Sequence, residues 1–225
     1  MSWLARFLNS SIGLKFVMAA TGVGLFGFVV VHLFDNLIIF GGPDMINGFA
    51  HWLHELGPLL WVLRIGLIVM VLAHIVSSVK LTEKNRAARP VPYAHDATVR
   101  ATWTSRTMLA SGMMVLAYVV YHLLHFTFRT TNPEYSNLVD AHGRFDVYTM
   151  VVTSFRQPLI TLTYTVAMVL LGMHLNHGIA SFFQTLGFNH PKYTPLIQKG
   201  GPVLGALIVI GYISIPISVL CGVIR

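Results

Sequence analysis

The chain has 225 residues, 55% hydrophobic and only 10% charged, with a mean hydropathy of +0.68, against about 25% charged in soluble proteins. That excludes a soluble globular domain, and five crossings of about 20 residues each use about half of the chain, leaving short connections and no room for a soluble catalytic domain. The formal charge of +7 comes from basic residues between apolar segments, where they set topology rather than mark a nucleic-acid surface, and the single cysteine, Cys221, cannot build a disulfide, a four-cysteine zinc site or an iron-sulfur cluster alone.

The N-terminus carries Arg6 and Lys15 and lacks a small-residue cleavage pattern. Its first apolar run, Ile12 to Ile39, therefore reads as a helix that stays attached rather than a removed signal. Gly41-Gly42-Pro43 ends it and Gly57-Pro58 opens the second run, Leu59 to Leu81. A basic connection follows, with Lys80, Lys84, Arg86, Arg89, Arg100 and Arg106 around Arg89-Pro90 and Pro92. The third run is Met108 to Phe128, and Asn132-Pro133 breaks the chain after it. Gln157-Pro158 opens the fourth, Leu159 to Phe183, and Gly200-Gly201-Pro202 the fifth, Val203 to Ile224. Each run is long enough to cross about 30 Å of hydrocarbon as a helix, and lipid leaves no other way to satisfy the backbone of a single segment. Residues 1–225 thus read as one membrane domain: an all-α integral membrane protein with five transmembrane helices.

Charge orients it. The N-terminus, the second connection and the fourth, with Lys192 and Lys199, are the basic ends and are expected to face the cytoplasm. The first connection holds Asp35, Asp44 and Glu55, and the third mixes Arg129, Arg144 and Arg156 with Glu134, Asp140 and Asp146. The C-terminus is expected outside.

His32, His74, His122 and His174 lie one apiece in the first four runs. An ionisable group inside a span is costly and marks a functional site by default. By helical rise His32 and His122 fall near the outer face and His74 and His174 near the inner one, in two layers about 12 to 18 Å apart. Two neutral imidazoles on facing helices at one height, with small residues beside them, are the requirement for a bis-histidine haem. Gly22, Gly24, Gly27, Gly112, Gly172 and Gly178 supply the small residues, and without Cys-x-x-Cys-His the haems are b-type. The competing readings are histidines that only join helices by hydrogen bonds, and a non-haem metal on His122 with His125 or His174 with His177, each doublet sharing a helix face. Spacing alone leaves open which member of each doublet binds iron. His51, His54, His95, His142 and His190 fall in connections and are expected to be solvated.

The local contexts carry a resemblance: Val31-His32-Leu33 with Asn36, Ala50-His51 and Leu56-Gly57-Pro58, Ala73-His74-Ile75, Tyr121-His122-Leu123, and Met173-His174-Leu175 followed by Gly178 and Ser181-Phe182. In order and interval, over nearly the whole chain, it resembles the membrane anchor of succinate:quinone oxidoreductases, the single-polypeptide, five-helix, di-haem cytochrome b of succinate dehydrogenases and fumarate reductases. The resemblance implies a four-helix haem-binding bundle with iron ligands His32 and His122 for one haem and His74 and His174 for the other. It implies a flavoprotein subunit carrying FAD, an iron-sulfur subunit docked on the cytoplasmic face, and quinone as the membrane substrate. The chain would then be a non-catalytic electron-transfer subunit in the cytoplasmic membrane. Some members of the family pass protons through an acidic residue of the fourth helix, and no Asp or Glu stands between Arg156 and Phe183.

Quinone or propionate contacts are expected among Glu55, His54, Arg64, Arg106, His125 and His177. Asp35 and His51 join the outer candidates and Ser10, Ser11 and Gln184 the inner ones, while Arg129, Arg156 and Lys15 are further propionate partners. Trp52, Trp61 and Trp103 read as interface anchors. Two other functions fit part of the pattern: the cytochrome b of a formate dehydrogenase or hydrogenase, and a proton-coupled transporter using intramembrane histidines, which would favour membrane carboxylates that the span interiors lack.

Overall fold

The computed structural model describes residues 2–88, 106–188 and 190–225. Arg89, Pro90, Pro92, His95, Arg100 and Trp103 lie outside the described residues. The helices in chain order are α1 (Trp3–Leu8), α2 (Ser11–Leu37), α3 (Pro43–Glu55), α4 (Pro58–Ala87), α5 (Met108–His122), α6 (Val147–Phe155), α7 (Pro158–Thr185) and α8 (Thr194–Leu220). Among the described residues α2, α4, α5, α7 and α8 are long and apolar enough to cross a membrane, and the only β pairing is an isolated bridge between Val139 and Phe145. The protein is an all-α, multi-pass membrane protein.

Local chemistry sets the helix starts. The Ser10 hydroxyl accepts the Gly13 N–H at 3.0 Å and opens α2. Gly42 (φ +94°) and Gly57 (φ +53°) hold turns that a side chain would strain. Each hands over to a proline in the first helical turn, where a missing N–H costs nothing.

The ends of the spans depart from expectation in instructive ways. The helix α4 runs on to Ala87 and α8 begins at Thr194, well before Val203, with Pro195 in its first turn and Pro202 inside it. Apolar composition marks where lipid begins, whereas a helix continues into water through Lys84 and Arg86, or from Gln198 and Lys199. The end of α2 tightens into a 3₁₀ turn, Ile38–Gly41, and the end of α5 widens into a π turn, Leu123–Thr127, closed by the Phe128 N–H reaching back to the Leu123 carbonyl at 2.7 Å.

The first and third connections, expected as plain loops, fold into a cap. It consists of α3, a 3₁₀ turn at Pro133–Asn137 and α6, so His51 and His54 are on a helix. Arg144 ties the cap together, donating from Nε to Asp140 at 2.8 Å and from Nη2 to Asp44 at 2.6 Å. Beneath it Asn47, 1% exposed, donates to Asp146 at 3.0 Å and accepts the Tyr148 N–H at 2.9 Å. Tyr148 in turn donates to the carbonyl of Arg225 at 3.0 Å, which puts the C-terminus at this same end. At the opposite, open end, the Lys84 ammonium reaches the Asn9 carbonyl.

The buried apolar core lies under the cap, where Ile39, Ile46, Val151, Val152, Phe155, Tyr164, Ile215, Val219 and Ile224 meet. The two N-terminal spans pair as α2 with α4, and the next two as α5 with α7; α2 also touches α7. The fifth span, α8, leans on α7 along a small-residue seam. A Cβ on Gly205 would come 3.3 Å from the Gly172 carbonyl oxygen and one on Gly201 3.3 Å from that of Asn176, so these glycines let the two backbones approach. It also reaches α2, where Tyr212 donates to the Val29 carbonyl at 2.7 Å.

Candidate functional site: two opposed histidine pairs

The four intramembrane histidines meet as two pairs. His32 of α2 faces His122 of α5 with ring centroids 6.0 Å apart and planes at 80°. His74 of α4 faces His174 of α7 at 6.5 Å and 70°. Two imidazoles on one metal ion, with bonds of about 2 Å from metal to nitrogen and about 1 Å more to each ring centre, put the centroids about 6 Å apart. Neither pair is hydrogen-bonded to itself, and His74 and His174 each bond a hydroxyl of a neighbouring helix, as the helix-joining reading also expects.

In the open-end pair the hydrogen bonds fix the rings. His74 Nδ1 is 3.2 Å from the Thr21 hydroxyl, whose one proton is committed to the Val17 carbonyl at 2.7 Å. Thr21 therefore accepts, His74 Nδ1 carries the proton, and Nε2 is left with its lone pair. His174 Nδ1 likewise lies 3.2 Å from the Ser111 hydroxyl, which reaches the Met108 carbonyl at 3.1 Å. The neighbouring residues are Gly22 and Gly112. A Cβ on Gly112 would come 3.3 Å from His174 Cε1, closer than comfortable contact, so glycine lets that ring edge reach the facing helix, whereas one on Gly22 would meet His74 Cε1 at an ordinary 3.5 Å.

The capped-end pair is surrounded by rings instead. Phe28 stacks on His32 at 5.3 Å, Tyr212 lies 6.3 Å away, and Tyr118, Phe126 and Tyr164 surround His122 at 5.9, 5.7 and 6.1 Å. The Asn36 amide is committed to the His32 carbonyl at 2.6 Å and passes the two ring nitrogens at 3.4 and 3.3 Å. His122 Nδ1 is enclosed without a partner. A buried polar atom with nothing to bond is costly in a chain that folds with its helices alone. It fits a ring whose position is set from its other nitrogen.

His125 and His177, the second members of the doublets, part company. His125, 0% exposed, is bonded at both nitrogens, to Tyr164 Oη at 2.9 Å and Ser154 Oγ at 3.2 Å, and Ser154 donates to the Met150 carbonyl at 2.8 Å and lies 3.0 Å from the Tyr135 hydroxyl. It is a joint between α5, α6 and α7. His177 is half-buried one turn below His174. Among the described residues no three His, Cys, Asp or Glu side chains come together as a metal site.

Of the remaining candidates, Glu55, His54, Arg64 and Arg106 are exposed, and Arg129 is half-buried with its Nε enclosed. Glu55 pairs with His51 at 3.4 Å in the open, where such a pair is worth little, and His54 donates from Nδ1 to the Ala50 carbonyl at 2.7 Å. His51 and His54 line a small recess with Ala50 and Phe145. The Arg64 guanidinium lies 5.2 Å over the Trp61 ring, Arg129 lies 4.6 Å over Phe145, and Arg106 is exposed.

Thr21, Ser111, Phe28, Tyr118 and Tyr212 were not singled out from the sequence, yet a signal for the hydroxyls was there. Thr21-Gly22 precedes His32 by eleven residues and Ser111-Gly112 precedes His122 by eleven, and the intervening stretches end alike, in Phe28-Val29-Val30 and Tyr118-Val119-Val120. In the other two helices Pro58 precedes His74, and Pro158 His174, by sixteen. The helix pairs α2/α4 and α5/α7 are thus two versions of one plan. Eleven residues are about three turns and about 16 Å of rise, so one helix face carries a histidine at the capped-end level and a hydroxyl at the open-end level. No protein-family model matches the chain, and no curated protein and no solved structure matches it.

Proposed function

We propose that this protein is the membrane anchor and electron-transfer subunit of a succinate dehydrogenase or fumarate reductase. It holds two b haems and links an iron-sulfur subunit, itself joined to an FAD-bearing flavoprotein, to membrane quinone. The observation that carries the haem reading is the pair of facing imidazole pairs, at 6.0 and 6.5 Å, about 16 Å apart along the bundle by helical rise. The sequence contexts around the four histidines carry the choice of enzyme.

The chain's own residues fit that cofactor. His74 and His174 present Nε2 lone pairs, since Thr21 and Ser111 hold their Nδ1 protons. His32 and His122 sit among aromatic rings that keep water away, and Gly22 and Gly112 keep Cβ atoms clear of the rings. A haem bound by two imidazoles supplies a one-electron couple with no open coordination position, which suits transfer rather than oxygen chemistry. In this reading the basic open end, with the N-terminus, faces the cytoplasm and the soluble subunits, and the capped end faces outward across a cytoplasmic membrane.

A pyridine haemochrome spectrum with protein quantitation tests it. Two b haems per chain are expected, and none in folded protein overturns the proposal in favour of a transporter. Co-purification of a flavoprotein, with haem reduced on adding succinate, separates this enzyme from a formate dehydrogenase or hydrogenase, whose anchor would respond to formate or hydrogen.

A further inference from the structure

The open-end pair differs from the capped-end pair in one respect that chemistry can read: both of its rings place Nδ1 within hydrogen-bond distance of a hydroxyl of a facing helix. Thr21 and Ser111 come from α2 and α5, the helices that carry the other pair, and hold rings of α4 and α7. The two contacts have the same length, 3.2 Å. Each is made by a hydroxyl that also reaches a carbonyl of its own helix, Val17 or Met108, and each precedes a glycine beside the ring edge. The contact occurs twice, at matched positions of the two helix pairs, which a chance neighbour would not do. The His74 ring also meets the Met18 carbonyl of the same facing helix.

We propose that Thr21 and Ser111 are positioning residues for the open-end haem, holding His74 and His174 as Nδ1–H tautomers with Nε2 free to ligate, and that this pair of acceptors sets the redox potential of that haem alone. The inference rests on the haem reading above. An Nδ1–H that donates gives its ring more imidazolate character and so more electron density at Nε2, which favours the ferric state. The capped-end pair has no such acceptor, His122 Nδ1 being unpartnered, so the same substitutions leave its haem unmoved.

The test is a potentiometric titration of the full chain in isolated membranes and after purification. The open-end step is identified as the one missing in His74→Ala. Thr21→Val keeps the shape and removes the acceptor, Ser111→Ala removes the other, and Thr21→Ser keeps the hydroxyl. Expected are two haems per chain in Thr21→Ser and Ser111→Ala, and in Thr21→Val either an upward shift of the open-end step or selective loss of that haem. The shift is read as a three- to tenfold rise in the ferrous-to-ferric ratio at fixed potential, tenfold being 59 mV for one electron. Thr21→Ser should return the wild-type value, and the ferric electron paramagnetic resonance signal of the same haem should move with the step. Two haems with both steps unmoved in Thr21→Val and Ser111→Ala overturn the inference, as does a shift that Thr21→Ser fails to reverse. A wild-type chain without haem overturns the underlying reading instead, and is seen before any variant is made.

Discussion

The two ends of the bundle treat the same chemical problem differently. At the open end each histidine ring is held by a hydroxyl, in a region of the spans with little buried surface; at the capped end the rings are held by aromatic neighbours beneath a folded cap and the main apolar core. The same helices supply both. Lipid gives no hydrophobic drive for packing between helices, so a ring can be oriented there either by a directed hydrogen bond or by aromatic neighbours that the spans themselves bring against it. The capped end uses Tyr164 and Phe126 for the second purpose, themselves backed by Phe155 of α6.

The largest effect that could break this comparison is loss of a cofactor. In the proposed reading His74→Ala or His174→Ala lowers haem from two per chain to one, removing the open-end haem, and His32→Ala or His122→Ala does the same at the capped end. Haemochrome analysis of each variant checks it, and loss of both haems from one substitution would mean the pairs are not independent. Next is the cap. Asn47→Ala leaves the Tyr148 N–H without an acceptor and removes one donor from Asp146, which keeps those of Thr149; this should cost about 1 to 3 kcal/mol, seen as a lower midpoint of thermal unfolding in detergent with two haems still bound below it. His125→Ala breaks the buried joint to Tyr164 and Ser154 and should cost a similar amount, about 1 to 3 kcal/mol, again with haem retained. A haem lost in His125→Ala and kept in His122→Ala would reverse the assignment.

The cap also has a pH limb. Desolvation pushes Asp140 up, but the Arg144 backbone N–H and guanidinium and the His142 N–H outweigh it and hold the carboxyl at about 2. Its folded pKa is below the unfolded value of about 3.9. The stability it contributes is therefore present above pH 4 and lost as pH falls through that range toward 2. Hydrogen exchange of the 138–146 segment should be flat from pH 8 to 5 once corrected for the intrinsic rate and accelerate below 4, and Asp140→Asn should remove that acid step while leaving the open end unchanged. The smallest effects belong to the glycines: Gly22→Ala places its Cβ at ordinary contact with His74 and should leave the haem spectrum as it was, whereas Gly112→Ala, at 3.3 Å, should displace His174 slightly and alter it.

The sequence carries the five spans and which histidines meet, His32 with His122 and His74 with His174, because both depend only on runs of apolar residues and a constant rise per residue; α2 and α7 fall within two residues of the apolar limits. The cap was not legible. Pro43 to Glu55 and Val147 to Phe155 are short and lie among charged residues, and their helices depend on partners distant in sequence, such as Asn47 with Asp146 and Tyr148. The fate of the doublets was not legible either. His122 and His125 have the spacing of a shared face, and only the tertiary fold shows His125 bonded to Tyr164 and Ser154. The hydroxyls at Thr21 and Ser111 were written in the repeat interval, but their role depends on which helix faces which.

The wide turn after His122 is where the two related helices part. Up to the histidine α2 and α5 run in step; beyond it the first winds tighter, into Ile38–Gly41, and the second looser, into Leu123–Thr127. A π turn is the mark of one residue inserted into a helix. Deleting Leu123 or Leu124 should let the helix rewind and turn the later side chains by about 100°, one residue's worth of a 3.6-residue turn. His125 would leave its enclosed joint while His122 kept its place, so a single inserted residue separates the duties of two histidines that regular winding would have kept together.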